Sequence, residues 1–298
     1  MTVWIVLRYC LYKSFLLFIG RSTGKASWNG GLCRVQAEKA CAIMAAKGIH
    51  AVLHSDPAFP VMLKTIPDFP YAVFYRGSLE PFKRQCVSVV GTRKICRETA
   101  RAAFSFAQSA VQDGQTVVSG LAYGTDTFAH KGALSGGETG CTAAVLPCGI
   151  ETVVPYGNRF LAAQIVRSGG CIASEYAPGI PAEPWRFVHR NRLVAALSSC
   201  TVVVHAPAGS GALITADFAA DYSRDVMFHE AGLRAIAVET AGGCQGKKVR
   251  AERTCGRFLE EGAPVIKNYA DFVAVKNDAP GTHVCKNKRQ LELFKAQG

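Results

Sequence analysis

The stretch of sequence that decides the fold reads Cys86-Val87-Ser88-Val89-Val90-Gly91-Thr92-Arg93-Lys94. Its first half holds only small or β-branched residues and no charge, which predicts a short strand buried on both faces, as in a parallel sheet. Apolar residues then recur at helical spacing across residues 97–113. Strand, glycine turn and helix form a β-α unit, and open α/β sheets bind ligands at such turns. Arg93 lies where it could bind an anion beside the start of a helix. The alternative is a solvated arginine on the surface, and this stretch alone favours neither interpretation.

The rest of the chain continues the alternation of strands and helices. The predicted strands cover residues 73–77, 86–90, 116–119, 141–146, 171–174, 201–204, 226–228 and 235–238, and the predicted helices cover 97–113, 125–136, 157–168, 190–198 and 212–223. Strands separated by single helices imply right-handed crossovers. The predicted fold class is therefore α/β: an extended Rossmann-like, mostly parallel sheet with helices on both faces, preceded by a small helical N-terminal region. The first β-α turn lacks the G-x-G-x-x-G fingerprint, which argues against a nicotinamide enzyme.

Three regions are predicted along the chain. Residues 1–80 form the small N-terminal region, with a helix over 33–50, residues 81–275 form the Rossmann-like domain, and residues 276–298 form a basic tail with no winged-helix domain. The boundary is expected near residues 77–84. Arg8 and Lys13 interrupt the apolar run of residues 1–19, so no uncharged stretch reaches the ~18 residues of a spanning helix. We expect an N-terminal helix or extension there, and no membrane partner.

Composition and charge narrow the class of partner. The chain has 298 residues, 49% of them hydrophobic and 19% charged, which is typical of a globular protein. A net charge of +12 favours an anionic partner such as nucleic acid, a phosphorylated ligand or an acidic surface. The twelve cysteines include no C-x-x-C pair and no zinc-site spacing. They are interpreted as buried free thiols of a cytoplasmic protein, and no metal is predicted.

Two further turns are rich in small residues, like the glycine turn after residues 86–90. Ser119-Gly120 follows one predicted strand, and Ser210-Gly211, with Thr215 one turn further on, follows another. Small residues let backbone N–H groups point at an anion near a helix start. An ordinary helix N-cap is the alternative for either turn alone. Three such turns at the ends of predicted strands together favour an anion-binding site.

A fourth stretch combines basic and aromatic residues. It reads Trp185-Arg186-Phe187-Val188-His189-Arg190-Asn191-Arg192-Leu193 and contains no acid. Arginine can clamp a phosphate with two hydrogen bonds, and an aromatic ring such as Phe187 can stack on an unpaired base. The alternative is that Trp185 and Phe187 belong to the core and that the arginines begin a solvated helix. The stretch by itself favours neither interpretation.

Together these stretches resemble the DNA-processing protein A (DprA/Smf) family. The matching motifs are V-V-G-T-R at 89–93, S-G-L-A-Y-G-T-D-x-x-A-H-K-G-A-L at 119–134, S-E-Y-A-P-G at 174–179, F-V-H-R-N-R-L-V-A-A-L-S at 187–198 and A-P-A-G-S-G-A-L-I-T-A at 206–216. The resemblance implies a cytoplasmic protein that binds single-stranded DNA, forms a homodimer, protects incoming DNA and helps to load the RecA recombinase during natural transformation. It implies no cofactor and no catalytic residue.

The resemblance also implies which residues touch nucleic acid. Arg93, Phe187, Arg190, Asn191 and Arg192 would contact DNA, and the serine-glycine turns would hold phosphates. The complete predicted set is Gly91, Thr92, Arg93, Lys94, Ser119, Gly120, Arg186, Phe187, Arg190, Asn191, Arg192, Ser210, Gly211 and Thr215.

The chain departs from the family pattern at several positions. Tyr123 stands where the family usually has arginine, Thr125 replaces an isoleucine, and Glu98-Thr99 replaces a common Tyr-Gly pair. Residues 228–232 replace the family's A-V-P-G.

Two other functions remain open at this point. One is a sensor of a phosphorylated nucleotide. The other is a nucleotide-cleaving hydrolase with a P-G-G-x-G-T-x-x-E loop, but Ile214 or Thr215 stands where its glutamate should be. The candidate catalytic groups are Asp126, His130, Glu175 and His189. The spacing of Asp126 and His130 allows a hydrogen bond on one helix face, and a helix N-cap beside a surface histidine is the alternative.

Overall fold

The computed structural model describes residues 30–137, 142–241 and 254–278. Its helices are α1 (Gly30–Lys47), α2 (Val61–Lys64), α3 (Arg97–Gln112), α4 (Thr125–Gly136), α5 (Arg159–Arg167), α6 (Pro184–Ala196), α7 (Gly211–Asp221), α8 (Glu230–Ala241), α9 (Cys255–Glu260) and α10 (Tyr269–Asp278). Its strands are β1 (His50–Leu53), β2 (Ala72–Gly77), β3 (Cys86–Gly91), β4 (Thr116–Ser119), β5 (Thr142–Val145), β6 (Cys171–Ser174), β7 (Cys200–His205), β8 (Asp225–His229) and β9 (Val265–Ile266).

All of these strands join one sheet, in the order β1-β2-β6-β5-β4-β3-β7-β8-β9. From β6 to β9 every neighbouring pair is parallel, whereas β2 pairs antiparallel with both β1 and β6. Strands β4, β5 and β6 are added in order on one side of β3, and β7 then pairs with β3 on its other side. The sheet therefore reverses its winding direction between β3 and β7, and such a switch point opens a crevice at the carboxyl ends of the strands.

The central strand β3 is buried as its sequence predicts. Val87 and Val89 pack in the core under α3, α4 and α10, while Cys86 and Val90 pack in the core under α6 and α7. The hydroxyl of Ser88, also buried, donates to the carbonyl of Val194 at 2.6 Å. Helices thus cover both faces, and the predicted Rossmann-like, mostly parallel sheet is confirmed.

The N-terminal region contributes strands as well as a helix. The predicted helix over 33–50 ends at Lys47, and β1 follows it at once. The segment between β1 and β2 contains the short helix α2. Strands β1 and β2 extend the sheet beyond β6. The predicted boundary near residues 77–84 stays a prediction, and the strands before and after it belong to the same sheet.

Two predicted elements were wrong. Residues 235–238 lie inside α8, not in a strand, and the last strand is β9; a short apolar run does not distinguish a strand from a buried helix face. The helix predicted over 190–198 begins at Pro184, because proline fixes a helical φ and needs no N–H partner in the first turn. The basic and aromatic stretch is therefore helical.

Several expectations fall wholly or partly outside the described residues. These concern residues 1–29, Cys141 and the tail beyond Asp278. Within the described ranges, no helix is long and apolar enough to cross a membrane. Buried free thiols, as predicted, are present at Cys86, Cys148, Cys171, Cys200 and Cys255. The prediction was wrong for Cys96, which is exposed, and for Cys41, which is half-buried.

Candidate functional site

A pocket of about 690 Å³ lies at the switch point of the sheet. Its walls are the turns after β3, β4 and β7, helix α6 from Pro184 to Val194, and the first turns of α7. Of the predicted site residues, only Ser119, Arg186 and Arg192 do not line it. The structure therefore brings together three turns and a helix that are far apart in sequence.

The turn after β3 is held by its neighbours on both sides. The amide of Thr92 donates to the carbonyl of His205 at the end of β7, at 2.6 Å, and the carbonyl of Thr92 accepts from the amide of Thr125 at 3.2 Å. Gly124 is required at this approach, because a Cβ atom there would lie 2.4 Å from the Thr92 carbonyl oxygen. The fixed backbone leaves Arg93 and Lys94 exposed at the pocket.

Arg93 and Phe187 form a cation–π pair at the rim of the pocket. The guanidinium carbon of Arg93 lies 5.3 Å from the centre of the Phe187 ring, within the range of an attractive contact. Phe187 is half-buried, so it is not the core residue that one interpretation of its sequence expected. An exposed cation and a partly accessible ring thus lie side by side.

Arg190, by contrast, is buried and engaged with the protein itself. Its guanidinium donates to the carbonyls of Gly120, at 2.6 Å, and Val145. Burial lowers the pKa of Arg190 to about 10, and the nearby Asp126 carboxylate opposes that change. Arg190 therefore stays charged at neutral pH and ties α6 to the carboxyl ends of β4 and β5.

The other two arginines of α6 are also buried. Arg186 donates to the carbonyl of Pro181. Arg192 donates to the carboxylate of Glu175 and, at 2.8 Å, to the carbonyl of Asp68. The solvated helix start that was the alternative for these arginines is not what the structure shows. Their role as DNA contacts, like that of Arg190, stays a prediction, and their present partners give them a scaffolding role.

The turn after β4 is organised around Asp126. The carboxylate of Asp126 accepts from the amides of Gly120 at 3.1 Å and Ala122 at 3.2 Å, while the hydroxyl of Ser119 donates to the carbonyl of Val89. Burial raises the pKa of Asp126, against the effect of Arg190 and of the amide donors. In this structure these amides serve Asp126, so the predicted phosphate contact of Ser119-Gly120 stays a prediction. Sequence reasoning did not find this anchoring role of Asp126.

The turn after β7 presents the start of α7 to the pocket. The hydroxyl of Ser210 caps the helix by accepting from the amide of Ala212 at 3.3 Å. The side-chain amide of Asn191 donates to the carbonyl of Gly211 at 3.3 Å, which joins α6 to α7. The N-cap expected as one alternative is therefore real, and it aligns the positive end of a helix dipole with the pocket.

The candidate catalytic groups do not form a catalytic arrangement. His130 was expected at the surface if not bonded to Asp126, but it is buried and its Nδ1 lies 2.7 Å from the hydroxyl of Thr142. Burial lowers the pKa of His130 to about 3. Glu175 pairs with Arg192 and with His189. Within the described ranges, no group of three or more His, Cys, Asp or Glu could hold a metal ion.

An α/β sheet with a pocket at its switch point, lined by basic and aromatic side chains, places the chain in the class of Rossmann-like proteins. The chain belongs to the family of DNA recombination-mediator protein A, whose model matches residues 50–276. The resemblance to the DprA/Smf family is thereby confirmed, and with it a family role in DNA processing.

Curated proteins of similar sequence are named Protein Smf or DNA processing protein DprA. The DNA processing protein DprA of Streptococcus pneumoniae is 32% identical over 219 residues, which cover 74% of this chain and 71% of the relative. Protein Smf of Borreliella burgdorferi is 35% identical over 173 residues, or 58% and 54% of the two chains. The chain thus spans about half the length of that relative, and 44% of Protein Smf of Synechocystis.

Solved structures show the same fold. The X-ray structure of DprA from Streptococcus pneumoniae superposes with a TM-score of 0.65 at 28% identity, covering 84% of this chain and 83% of the other. A structure of DNA processing protein A from Helicobacter pylori, described for its single-stranded DNA binding mode, gives 0.61 at 23% identity and covers 77% and 96%. At that identity the second match supports the fold alone.

Proposed function

We propose that this chain binds single-stranded DNA in the pocket at the β3–β7 switch point. The observation that carries the proposal is the pairing of exposed Arg93 with the half-buried Phe187 ring, 5.3 Å apart. An arginine beside an aromatic ring serves both parts of an unpaired nucleotide, because the cation meets the phosphate and the ring stacks on the base. A duplex hides the base faces that Phe187 needs.

The proposal divides the predicted residues into three roles. Arg93 and Lys94 are exposed and would neutralise phosphates, with help from the start of α7. Asn191 and Thr215 line the pocket and would supply polar contacts. Arg186, Arg190 and Arg192 are buried and would fix the walls of the pocket. Loss of a buried arginine should therefore affect folding before it affects binding.

We infer that the chain acts in DNA processing during natural transformation. There it would protect incoming single strands in the cytoplasm and help to load the RecA recombinase as a homodimer. The family description as a recombination mediator supports the loading step. The net charge of +12 supports a nucleic-acid partner, and the buried free thiols suit a reducing compartment.

We further propose that the chain is not an enzyme. Asp126 is the one carboxylate among the residues that line the pocket, and it is occupied by two backbone amides. Hydrolysis needs a carboxylate or another base that can reach a water and a substrate. A carboxylate that anchors a turn is not free to do so.

Competition between strand types tests the proposed ligand. A labelled single strand of mixed sequence is bound first, and unlabelled single strand or duplex of equal mass is then added. We expect single-stranded competitors of different sequence to displace the label alike, and duplex to displace it poorly. Equal competition by duplex, or no binding of the labelled strand, would contradict the proposal.

A further inference from the structure

A second group of aromatic side chains lies exposed beside the pocket. Tyr156 is 72% exposed, Phe160 is 67% exposed and Tyr123 is 50% exposed. Large aromatic side chains normally bury most of their surface. These three lie in two segments of the chain, the turn after β4 and the residues from the turn before α5 to its start, which the structure brings into contact.

An arginine lies against two of these rings. The guanidinium carbon of Arg159 is 4.1 Å from the centre of the Tyr156 ring and 4.2 Å from the centre of the Phe160 ring. Its Nη1 also donates to the carbonyl of Tyr156 at 3.3 Å. The cation lies over one face of each ring and leaves both side chains mostly exposed. Contact with the cation restricts the rings, which lowers the entropy that a bound ligand would otherwise have to remove.

The aromatic group is joined to the pocket by a buried side chain. Asn158 donates to the carbonyl of Leu121 at 2.8 Å and to the hydroxyl of Thr127 at 2.9 Å. Tyr123 lies over the neighbouring Gly157, where a Cβ atom would come within 2.6 Å of the Tyr123 hydroxyl. Ala122, next to Tyr123, lines the pocket. The surface is thus continuous from the pocket, over Tyr123, to Tyr156 and Phe160.

The chemistry of this surface selects its occupant. It offers stacking faces together with a cation and, at residues 156–160, no acidic side chain. Unpaired bases on a phosphate backbone need both of these features, and an apolar protein partner would have no use for an arginine between the rings. The net charge of +12 favours the same polyanion.

We propose that Tyr156, Arg159 and Phe160 form a second stacking platform, over which a single strand continues after it leaves the pocket. This inference rests on the proposed function, since it needs a strand in the first pocket. The strand would run from Phe187 past Tyr123 to the platform. Tyr123, which replaces the family's usual arginine, would contribute stacking where that arginine contributes charge.

A length series of oligonucleotides tests the platform. The probe is labelled oligothymidine from about 4 to about 16 nucleotides, the range of site sizes of single-strand-binding folds. The shortest probes fill the pocket alone, so wild type and the double variant Tyr156→Ala/Phe160→Ala should bind them equally. Longer probes should bind the double variant about 5- to 140-fold more weakly for each base that no longer stacks.

Three control variants make the result specific. Tyr156→Phe keeps the ring and should bind long probes like wild type. Val238→Ala removes an apolar side chain that is also 72% exposed, but on α8 beyond β8, and should change nothing. Phe187→Ala should weaken binding at every length. Thermal unfolding of each variant shows that the fold is retained.

The failures of the two proposals are distinguishable. If wild type binds no oligothymidine, the proposed function fails and the platform fails with it. If Phe187→Ala weakens binding but the double variant follows the wild-type length dependence, the platform alone is wrong. The platform is also wrong if the double variant keeps full affinity but loses a dimer in light scattering, because the surface then contacts a second copy of the chain.

Discussion

Replacement of Arg190 by alanine is expected to destabilise the fold strongly, although a family resemblance makes Arg190 a DNA contact. The side chain is 4% exposed and donates to the carbonyls of Gly120 and Val145 beside the Asp126 carboxylate. Its removal would leave two buried carbonyl acceptors without this donor and would remove the positive charge near Asp126. At about 1–3 kcal/mol for each buried carbonyl left without a donor, this loss costs about 2–6 kcal/mol of unfolding free energy.

Thermal unfolding measures this loss directly. For a domain of this size, each kcal/mol lowers the melting temperature by about 2–4 °C, so we expect Arg190→Ala to melt about 4–24 °C below wild type. Arg190→Lys keeps a positive charge near Asp126, so its melting temperature should lie between those of wild type and Arg190→Ala. The matched control is Arg93→Ala, an exposed arginine of the same pocket, whose unfolding free energy should change by less than about 0.5 kcal/mol.

The opposite pattern would refute the scaffolding role of Arg190. In that case Arg190→Ala would have the melting temperature of wild type and would lose affinity for single-stranded DNA. The guanidinium would then leave its two carbonyls to reach a phosphate at little cost, and the pocket walls would not depend on it.

Two further predictions concern Asp126 and His130. A panel of nucleotides incubated with the protein should release neither base nor phosphate; turnover that Asp126→Asn abolishes would contradict the non-catalytic role. Burial lowers the pKa of His130 to about 3 in the folded state, whereas the unfolded chain takes up that proton near pH ~6.5. The unfolding free energy should therefore fall as the pH drops below ~6.5, with a slope of up to ~1.4 kcal/mol per pH unit from this group. Denaturant unfolding should show a shallower fall for His130→Gln than for the exposed control His50→Gln, and equal slopes would disprove the contribution of His130.

The parts of the fold that could be predicted are those with a local signal. Strand β3 has small and β-branched residues on both faces, and β4 and β6 repeat this pattern, so burial follows from the sequence itself. Strand β1 has only four residues, and two residues separate it from the end of α1. A segment this short cannot show the alternation of apolar and polar residues that identifies a strand. Helix α8 contains a short apolar run that suits a strand equally well.

The sequence predicted which residues form the site, but not which of them are buried in its walls and which are exposed to a ligand. Arg93 and Phe187 were found because glycine turns and basic, aromatic stretches are local. The burial of Arg190 depends on the carbonyl of Gly120, 70 residues away, and on the carbonyl of Val145, which no local pattern reveals. The exposure of Tyr156 and Phe160 likewise depends on how α5 packs, since Leu161, Ala162 and Ile165 of the same helix face the core.

The measurement that tests the central claim most directly is a salt titration of single-strand affinity for wild type, Arg93→Ala and Phe187→Ala. Each phosphate that the protein neutralises on a single strand adds ~0.7 to the slope of log affinity against log salt. We expect Arg93→Ala to flatten that slope by ~0.7. We expect Phe187→Ala to lower affinity by ~1–3 kcal/mol at an unchanged slope, because stacking releases no counterion. Arg167→Ala, at the far end of α5, is the control for a general loss of charge. If Arg93→Ala and Phe187→Ala both bind like wild type at every salt concentration, the single strand does not lie in this pocket.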